Sequence, residues 1–432
     1  MDLSALAVVA ALASASTAGP ATSPQVLGQA PPLLGPYLGH LGPNDAVVFF
    51  RATADAYGPE TFPISVVDGT GRVVRDTVVT RGSDHDFTVV WRVHALVPDT
   101  TYAFAVLKER LFFKTPREPE RPSRVTIAFG SCANDSPGLP NPVWPAIRRA
   151  SPHALVLLGD TPYIDTTDLA HQRRRYKEFY SNPDLTALMR SVSTYATWDD
   201  HDFAGNGADG TAENKGMARQ AFLEYHGNPS AGDGMEGIYT RFRRGPIDVF
   251  LLDTRWFSNT EPSFADPEKP TLLGRKQWDW LQRELAASTA PFKVLASGMA
   301  WNEAVREGKP DHWTAYPHER AALFAMIAEK KIGGVILVGG DLHRSRAFVH
   351  PSAETGIPYP VHEWITSPLG DAVIEEAAVP HPALTFDRGE KHAFLLVKAQ
   401  SVTDPPTVAA RFQNAAGEEL HVVEVSSKDL AP

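Results

Sequence analysis

The stretch Val125-Thr-Ile-Ala-Phe-Gly-Ser-Cys132 is an apolar run that ends in small and polar residues, at the only cysteine of the chain. Short apolar runs rich in β-branched and aromatic residues are typical of buried strands. A lone cysteine directly after such a strand is a candidate metal ligand or a candidate nucleophile. The pattern therefore predicts a strand whose end carries chemistry, with both roles open for Cys132.

Three more apolar runs end in polar residues of the kind that do chemistry. They are Leu155-Val-Leu-Leu-Gly-Asp160-Thr-Pro-Tyr163, Thr194-Tyr-Ala-Thr-Trp-Asp199-Asp200-His201-Asp202 and Val335-Ile-Leu-Val-Gly-Gly-Asp341-Leu-His343. In an α/β sheet, ligands bind outside the carboxyl ends of the strands. We therefore expect the four strand ends to meet in one site.

Length and composition restrict the class of protein. A chain of 432 residues exceeds what one hydrophobic core usually serves, so we expect two domains. Hydrophobic residues make up 43% and charged residues 21%, as in ordinary globular proteins. The net charge is −10 and no basic run exceeds Arg173-Arg-Arg175, which argues against nucleic-acid binding. The composition leaves a small-molecule or lipid substrate open and gives no prediction of the oligomeric state.

The N-terminus resembles an export signal. An apolar segment followed by small residues covers Met1 to Ala18, so we predict a signal peptide or a disordered N-terminus over 1–25 and a secreted or periplasmic location. No Lys or Arg precedes the segment, since the first basic residue is Arg51, and this leaves the export route and the start site open. No other segment reaches the roughly 18 apolar residues of a membrane span.

The chain divides into three predicted parts. Short strand-like runs with Gly and Pro turns over 30–115 predict a small all-β sandwich. Within it, the run from His94 to Tyr102 resembles the corner of fibronectin type III-like modules, where a Leu and a Tyr hold the turn. The Pro-rich and charged stretch 116–122 is a predicted stiff linker. The remainder, 123–432, is predicted to be a layered α/β domain.

Alternating patterns support the α/β prediction. Apolar spacing of three and four predicts helices over 143–149, 169–180, 214–225, 274–287 and 319–330. Strands are predicted over 125–129, 154–158, 193–197, 247–252, 293–296 and 334–338, and further strands over 362–365, 392–398 and 407–412.

The residue types at the strand ends indicate metal chemistry. Three carboxylates around His201 after an apolar strand are best explained by a bound cation, and a solvated acidic loop is the alternative. Holding the Cys132 thiolate and the Tyr163 phenolate at neutral pH needs a strong Lewis acid, for which Fe³⁺ is the best candidate. Carboxylates suit a harder second ion such as Ca²⁺, and another divalent metal is possible. Two ions bridged by Asp160 would activate a water for attack on phosphorus.

In this order the motifs resemble those of the PhoD-like alkaline phosphatases, a branch of the calcineurin-like metallophosphoesterases. The resemblance covers roughly Val125 to His343. It implies a four-layer β-sandwich flanked by helices, preceded by an all-β domain. The motifs are Phe129-Gly-Ser-Cys132, Gly159-Asp160-Thr-Pro-Tyr163, Trp198-Asp-Asp200-His201-Asp202, Leu252-Asp253-Thr-Arg255 and Gly340-Asp341-Leu-His343.

The resemblance also implies roles for individual residues. It places Ca²⁺ near Asp160, Asp200 and His343. His201 becomes the candidate acid for the leaving alkoxide. The residues implied to hold Fe³⁺ are Cys132, Asp160, Tyr163 and Asp341. Apart from the resemblance, Arg255 is a candidate clamp for a phosphate oxygen, with local pairing to Asp253 as an equal alternative.

One departure from the wider superfamily concerns its middle histidine ligand. That histidine is expected after the predicted strand 293–296, where the chain has Ser297-Gly-Met-Ala-Trp301-Asn302. The PhoD branch tends to have Met and Trp at this place, so the departure agrees with the branch. Additional residues are interpreted as more structural than functional, although each is predicted to lie near the site: Asn134, Asp135, Asn206, His312, Trp313 and His318.

The sequence predicts metal-dependent hydrolysis of phosphate esters, with a phosphomonoesterase activity of the alkaline phosphatase D type. A phosphodiesterase or phospholipase D-like activity at the same site is the first alternative. A purple acid phosphatase fits less well, because that family's ligands are richer in histidine. A surface binding protein with a vestigial phosphatase domain is a further alternative, against which the intact ligand set argues.

Overall fold

A computed structural model describes residues 33–53, 60–133 and 140–432. The predicted signal peptide over 1–25 and the candidate site residues Asn134 and Asp135 lie outside these ranges. Within them, no helix is both long enough and apolar enough to cross a membrane.

Two antiparallel sheets form the N-terminal part. The strands are β1 (Leu33–Leu41), β2 (Asp45–Ala52), β3 (Thr61–Asp68), β4 (Val73–Thr80), β5 (Thr88–His94), β6 (Thr101–Val106) and β7 (Glu109–Lys114). The sheet orders are β1-β2-β5 and β4-β3-β6-β7, and the two sheets share one apolar core. At the predicted corner, buried Leu96 is followed by Val97, whose backbone N–H donates to Tyr102 Oη at 2.9 Å.

Two larger sheets make up the rest of the molecule. The first has the order β10-β9-β8-β18-β19-β20, and its strands β8, β9 and β10 are parallel. Its strands are β8 (Arg124–Gly130), β9 (Ala154–Leu158), β10 (Ser193–Thr197), β18 (Ala393–Gln400), β19 (Thr407–Asn414) and β20 (Glu419–Ser426).

The second large sheet has the order β11-β12-β13-β14-β16-β15-β17, with parallel pairing from β12 through β13 and β14 to β16. Its strands are β11 (Thr240–Arg244), β12 (Ile247–Leu251), β13 (Phe292–Ala296), β14 (Val335–Gly339), β15 (Ser345–His350), β16 (Val361–Ile365) and β17 (Leu384–Arg388).

Helices cover the two large sheets. They are α1 (Val143–Arg149), α2 (Leu169–Tyr180), α3 (Pro183–Met189), α4 (Asp200–Phe203), α5 (Lys215–Tyr225), α6 (Gly274–Ala287), α7 (Pro317–Glu329) and α8 (Ser352–Thr355), with 3₁₀ turns at Ser83–His85, Trp313–Ala315 and Glu375–Ala377.

Side chains alternate between two cores along β8 and β9. Ile127 and Val156 belong to a core that both large sheets share, whereas Ala128 and Leu155 belong to a second core with the helices. Such alternation follows from the two-residue period of a strand. The predicted four-layer sandwich flanked by helices is confirmed.

The N-terminal sheets pack directly on the larger unit. Leu34 and Tyr37 of β1 belong to the helix-side core of the first large sheet, and the backbone N–H of Leu41 donates to Tyr195 Oη on β10 at 3.2 Å. The stretch between β7 and β8 contains neither helix nor strand. Placing the domain boundary at 116–122 stays a prediction.

Candidate metal centre

The carboxyl ends of four strands converge at one edge of the two large sheets. Cys132 follows β8, Asp160 follows β9, Asp199 and Asp200 follow β10, and Asp341 follows β14. Three groups of these and neighbouring side chains have potential ligand atoms within 4.8 Å of one another: Cys132, Asp160 and His343; Asp160, Asp200 and His201; and Asp160, Asp199, Asp200 and Asp341. The strand ends that the sequence singled out therefore form one cluster.

The backbone at this edge is strained. Cys132, Asp160, Asp341 and His343 have φ angles of 57°, 54°, 67° and 54°, in the left-handed region that residues other than glycine seldom adopt. Such conformations cost of the order of 1 kcal/mol each and persist where the surroundings impose them. Each strand thus ends in a sharp turn that directs a polar side chain into the cluster.

Asp202 holds two of the turns in place. Its carboxylate accepts hydrogen bonds from the backbone N–H groups of Asp160 at 2.6 Å, Thr161 at 2.9 Å and Asp199 at 2.7 Å. Burial raises the pKa of Asp202 to about 6, although these donors oppose the shift. Asp202 therefore fixes the ends of β9 and β10 relative to each other.

The acidic cluster is suited to a bound cation. Asp160, Asp199 and Asp341 are buried, and burial raises the pKa of each carboxyl. Lys309 limits the pKa of Asp341 to about 6, while neighbouring carboxylates add to the shift at Asp160. Asp199 Oδ2 is buried with no hydrogen-bond partner among the described residues. Desolvated, mutually repelling carboxylates with an unpartnered oxygen fit a site built for metal ions.

Asp200 differs from its neighbours because it stays ionised. Burial would raise its pKa, but Arg255 and His201 outweigh burial and lower the pKa to about 2. Its carboxylate also accepts from the backbone N–H of Gly207 at 2.7 Å and of His201 at 3.0 Å. Asp200 thus offers a permanent negative charge to the cluster.

The thiol and the phenol lie on one side of Asp160. Cys132 Sγ is 3.7 Å from Asp160 Oδ2, and Tyr163 Oη is 2.8 Å from His343 Nε2. Burial and the nearby carboxylates raise the pKa of Cys132 and of Tyr163, so both protons are retained unless a Lewis acid displaces them. His343 groups with Cys132 and Asp160 here, whereas Asp341 groups with Asp199 and Asp200.

His201 has a carboxylate partner that sequence reasoning missed. Its Nδ1 is 2.5 Å from Asp165 Oδ1, and its ring centroid lies 4.3 Å from that of Tyr163. A carboxylate on Nδ1 fixes the orientation of the imidazole and directs Nε2 elsewhere. Asp165 comes two residues after Tyr163 in the chain, which is the only sequence signal for this contact.

Arg255 lies behind the acidic cluster. Its side chain is buried, with Nε 2.8 Å from Asp199 Oδ1 and Nη2 2.8 Å from Asp311 Oδ2. Asp253 accepts from the backbone N–H of Arg255 at 3.0 Å, and not from its guanidinium. Arg255 is absent from the cavity lining, so it pairs with acids of the site instead of facing the open space.

The cavity in front of the cluster contains a cation that sequence reasoning missed. The cavity has a volume of about 240 Å³ and is lined by Lys309 and Arg306 beside Asp160, His201 and Asp341. Lys309 Nζ is 2.9 Å from Asp341 Oδ2 and 3.0 Å from Asp311 Oδ1. No motif surrounds Lys309 in the sequence, because it lies on a loop that only the fold brings to the site.

The remaining candidate residues divide between the cavity and the scaffold. Asn206 lines the cavity. His312 Nδ1 lies 2.6 Å from Thr314 Oγ1, and His318 Nε2 lies 3.0 Å from Pro270 O. Buried Trp313 stacks on Trp301 with ring centroids 4.0 Å apart. None of these three is among the residues that line the cavity.

The turn after β13, where a histidine ligand was expected, packs closely against Asp199. A Cβ atom at Gly298 would lie 2.5 Å from Asp199 Cγ, so only glycine leaves room for that carboxylate. The chain therefore brings an acid from β10 close to the turn where the wider superfamily has a histidine.

Comparison with known sequences gives two matches. The family model described as PhoD-like phosphatase matches residues 127–393, which is more than half of the chain. Alkaline phosphatase D of Bacillus subtilis (strain 168) is 29% identical over 278 residues, which cover 52% of this chain and 46% of that protein. The chain thus aligns with about half the length of this relative.

Solved structures share the fold. A structure of PhoD superposes with a TM-score of 0.71 at 20% identity, covering 90% of this chain and 88% of that one. Purple acid phosphatase PPD1 from seeds of yellow lupin (Lupinus luteus) superposes with a TM-score of 0.70 at 12% identity, covering 91% and 74%. The span of the family match and the ordered strand-end motifs lead to one conclusion: this chain belongs to the PhoD-like phosphatase family.

Proposed function

We propose that this protein hydrolyses phosphate esters in a metal-dependent reaction at the converging strand ends. The observation that carries the proposal is the buried cluster of Asp160, Asp199, Asp200 and Asp341 beside a thiol, a phenol and an imidazole. The family match supports it, and the activity named for the Bacillus subtilis relative is of the same kind.

We propose that two metal ions share Asp160. The cluster of Cys132, Asp160 and His343, with Tyr163 close by, would hold Fe³⁺, because a thiol and a phenol with raised pKa values suit a strong Lewis acid. The carboxylates around Asp200, with which Asp341 groups, would hold Ca²⁺. When bound, the ions would supply positive charge for the phosphoryl oxygens and a water of lowered pKa.

The cations at the cavity orient the ester. Among the described residues, Lys309 Nζ pairs only with carboxylates. It can donate to a phosphate oxygen in the same cavity, and exposed Arg306 lies at the cavity edge. Two cations suit the dianion of a monoester better than the single charge of a diester. An apolar wall of Leu342, Ile374 and Ala377 leaves space for an aryl or alkyl leaving group.

His201 donates the proton that the leaving alkoxide needs. Asp165 bonds to Nδ1 and fixes the orientation of the imidazole, while His201 lines the cavity where the ester lies. Asp202 and the strained turns keep the acids in place, so little reorganisation is required during the reaction.

Elemental analysis and turnover test the proposed function. We expect iron and calcium in the purified full chain and hydrolysis of 4-nitrophenyl phosphate, faster than of bis(4-nitrophenyl) phosphate. Cys132→Ser is expected to lower the iron content with the fold retained. Protein that contains two identical divalent ions, or that hydrolyses neither ester after iron and calcium are added, would contradict the proposal.

The proposed export rests on the sequence alone, namely on the apolar segment within 1–25. N-terminal sequencing of protein recovered outside the cytoplasm is expected to begin beyond this segment. Recovery of the intact N-terminus from the cytoplasmic fraction would contradict export.

A further inference from the structure

A second cavity, of about 490 Å³, lies at the amino ends of the parallel strands. It is bordered by the end of β7, the beginnings of β8 and β10, and the turn between β11 and β12. The metal centre lies at the carboxyl ends of the same strands. This basic cleft, as we call it, therefore lies at the other end of the sheet, where the N-terminal sheets meet it.

Positive charge predominates in the basic cleft. Its lining contains Lys114, Arg117, Arg124 and Arg244 against the single carboxylate of Asp99. Lys114 Nζ and Arg117 Nε bind that carboxylate at 2.6 and 3.1 Å. The single carboxylate thus forms ion pairs with two of the four cations, and the lining keeps a net positive charge.

Arg244 is buried there without a compensating charge. It is 4% exposed, and the only hydrogen bond of its guanidinium within the described residues runs from Nη2 to Ser193 Oγ at 2.8 Å. Its Nε is buried and has no hydrogen-bond partner among the described residues. The ionisable side chains that its charge influences include His40, His153 and Tyr195, and none of these is a carboxylate.

An uncompensated buried guanidinium is costly to the fold. A desolvated charge without a partner costs several kcal/mol, and proteins rarely retain one without a reason. A guanidinium presents paired N–H donors that match the geometry of a carboxylate or phosphate. The missing partner of Arg244 is therefore an oxyanion.

The size and the walls of the basic cleft narrow the ligand class. A volume of about 490 Å³ lies in the range of small-molecule sites and far exceeds one inorganic ion. Leu38, Val125 and Val192 contribute apolar surface, and Phe112 is 57% exposed at its edge. A ligand with an apolar part as well as an anionic head fits both features.

We propose that the basic cleft binds a small organic oxyanion, a phosphate, phosphonate or carboxylate that carries an apolar group. The anionic head accepts from Arg244, and Arg124 adds charge at the entrance. The apolar part contacts Phe112 and Val125. This site is separate from the proposed catalytic centre and does not depend on hydrolysis.

Phenylphosphonate, which has no ester bond to hydrolyse, is a suitable probe. Calorimetry would use the full chain carrying Asp160→Asn, so that binding at the metal centre is impaired. We expect one binding event per chain, weakened about ten- to hundredfold by adding Arg244→Gln, as for loss of a charged hydrogen bond. The matched control is Arg243→Gln, because neighbouring Arg243 is absent from the cleft lining and its guanidinium bonds to Gly245 O and Thr289 Oγ1.

Two results would overturn the proposal. One is no binding of phenylphosphonate to the Asp160→Asn chain; the other is equal binding with and without Arg244. If Arg244→Gln does not fold, the exposed position Arg124→Gln is expected to weaken binding about three- to tenfold and to make it less dependent on salt. Unchanged affinity and salt dependence in that variant would also contradict the proposal.

Discussion

Unpaired charges of opposite sign lie near the two ends of strands β8, β9 and β10. At the carboxyl ends, buried acids crowd around Asp160 and outnumber the cations that face them. At the amino ends, buried Arg244 has no acid beside it. Both arrangements cost free energy of folding, and in both we propose that a bound ligand supplies the missing charge.

The difference between the two ends indicates where this fold can accommodate unpaired charge. The middle of each strand is largely buried and contains no charged side chain, so the charged groups lie at the strand ends. The turns after the strands carry the acids of the candidate metal centre, whereas the unpaired cation, Arg244, lies at the end of β11 in the neighbouring sheet.

The largest effect is expected at the carboxyl ends. Asp160→Asn removes the carboxylate shared by all three ligand groups, and we expect phosphatase activity to fall on the order of 10⁴-fold. Steady-state kinetics and metal content measure this. Asp248→Asn is the matched control, because Asp248 is equally buried on β12 but bonds to Ser288 away from the site. Equal losses in both variants would point to misfolding.

His201→Ala is expected to lower kcat by about 10²- to 10⁴-fold, as for loss of a general acid. The loss should be greater for phenyl phosphate than for 4-nitrophenyl phosphate, because nitrophenolate leaves more readily without a proton. Asp165→Asn should cause a smaller loss, about tenfold, since it only positions the imidazole. If both esters lose rate equally, His201 acts as a ligand and not as the acid.

Lys309→Met tests whether Lys309 contributes to catalysis without contributing to the stability of the fold. We expect kcat/KM to fall about 10²-fold with little change in Tm, because Lys309 lines the cavity. Its two acids keep other partners, since Asp311 also pairs with Arg255 and a bound metal ion would compensate Asp341. Arg255→Met is expected to do the opposite and to lower stability by about 3–5 kcal/mol, since it leaves buried Asp199 unpaired. Thermal unfolding and kinetics of both variants would reveal any exchange of these roles.

Metal-free protein is expected to become more stable as the pH falls. Asp202 and Asp341 have pKa values of about 6 in the folded state, above the ordinary value near 4. The folded state therefore binds protons more tightly, and the free energy of unfolding should rise by about 2 kcal/mol per group between pH 7 and pH 4. Asp200, with its pKa of about 2, opposes this only below about pH 4. Urea unfolding after chelation measures the slope, and a loss of stability over this range would contradict the assignment.

The smallest effect is expected at the amino ends. Arg244→Met replaces a buried unpaired charge with an apolar side chain, and we expect the ligand-free protein to gain about 1 kcal/mol. Arg243→Met serves as the control, since the Arg243 guanidinium is hydrogen-bonded. A loss of stability in Arg244→Met alone would show that the basic cleft balances the charge of Arg244 internally.

Local patterns predicted most of the α/β unit. The helix bounds predicted at 143–149, 169–180 and 274–287 are those observed, and the central strands agree within one or two residues. Other elements were not predicted, because strands at or next to a sheet edge have weak periodicity and a seven-residue helix that begins at a proline has few turns to show one. These include α3, β11, β15, β17 and β20.

The candidate site could likewise be predicted only in part. Each candidate metal ligand lies next to a strand end or within a few residues of one. These ligands could be predicted because buried strands are recognisable in the sequence as apolar runs. Lys309, Asp311 and Asp165 lie on loops with no repeating pattern. Their roles depend on where the chain returns to the strand ends, and a local pattern contains no such information.

The strands, their polar ends and the family could be inferred without a structure, because these features depend on neighbours along the chain. The fold was needed to show that Arg255 faces Asp199 and Asp311 instead of the cavity, and that Lys309 faces the cavity. It also decided that Arg244 is buried without an acid. The physical reason is that pairing and desolvation of a charge depend on contacts between residues distant in sequence, and folding alone brings those residues together.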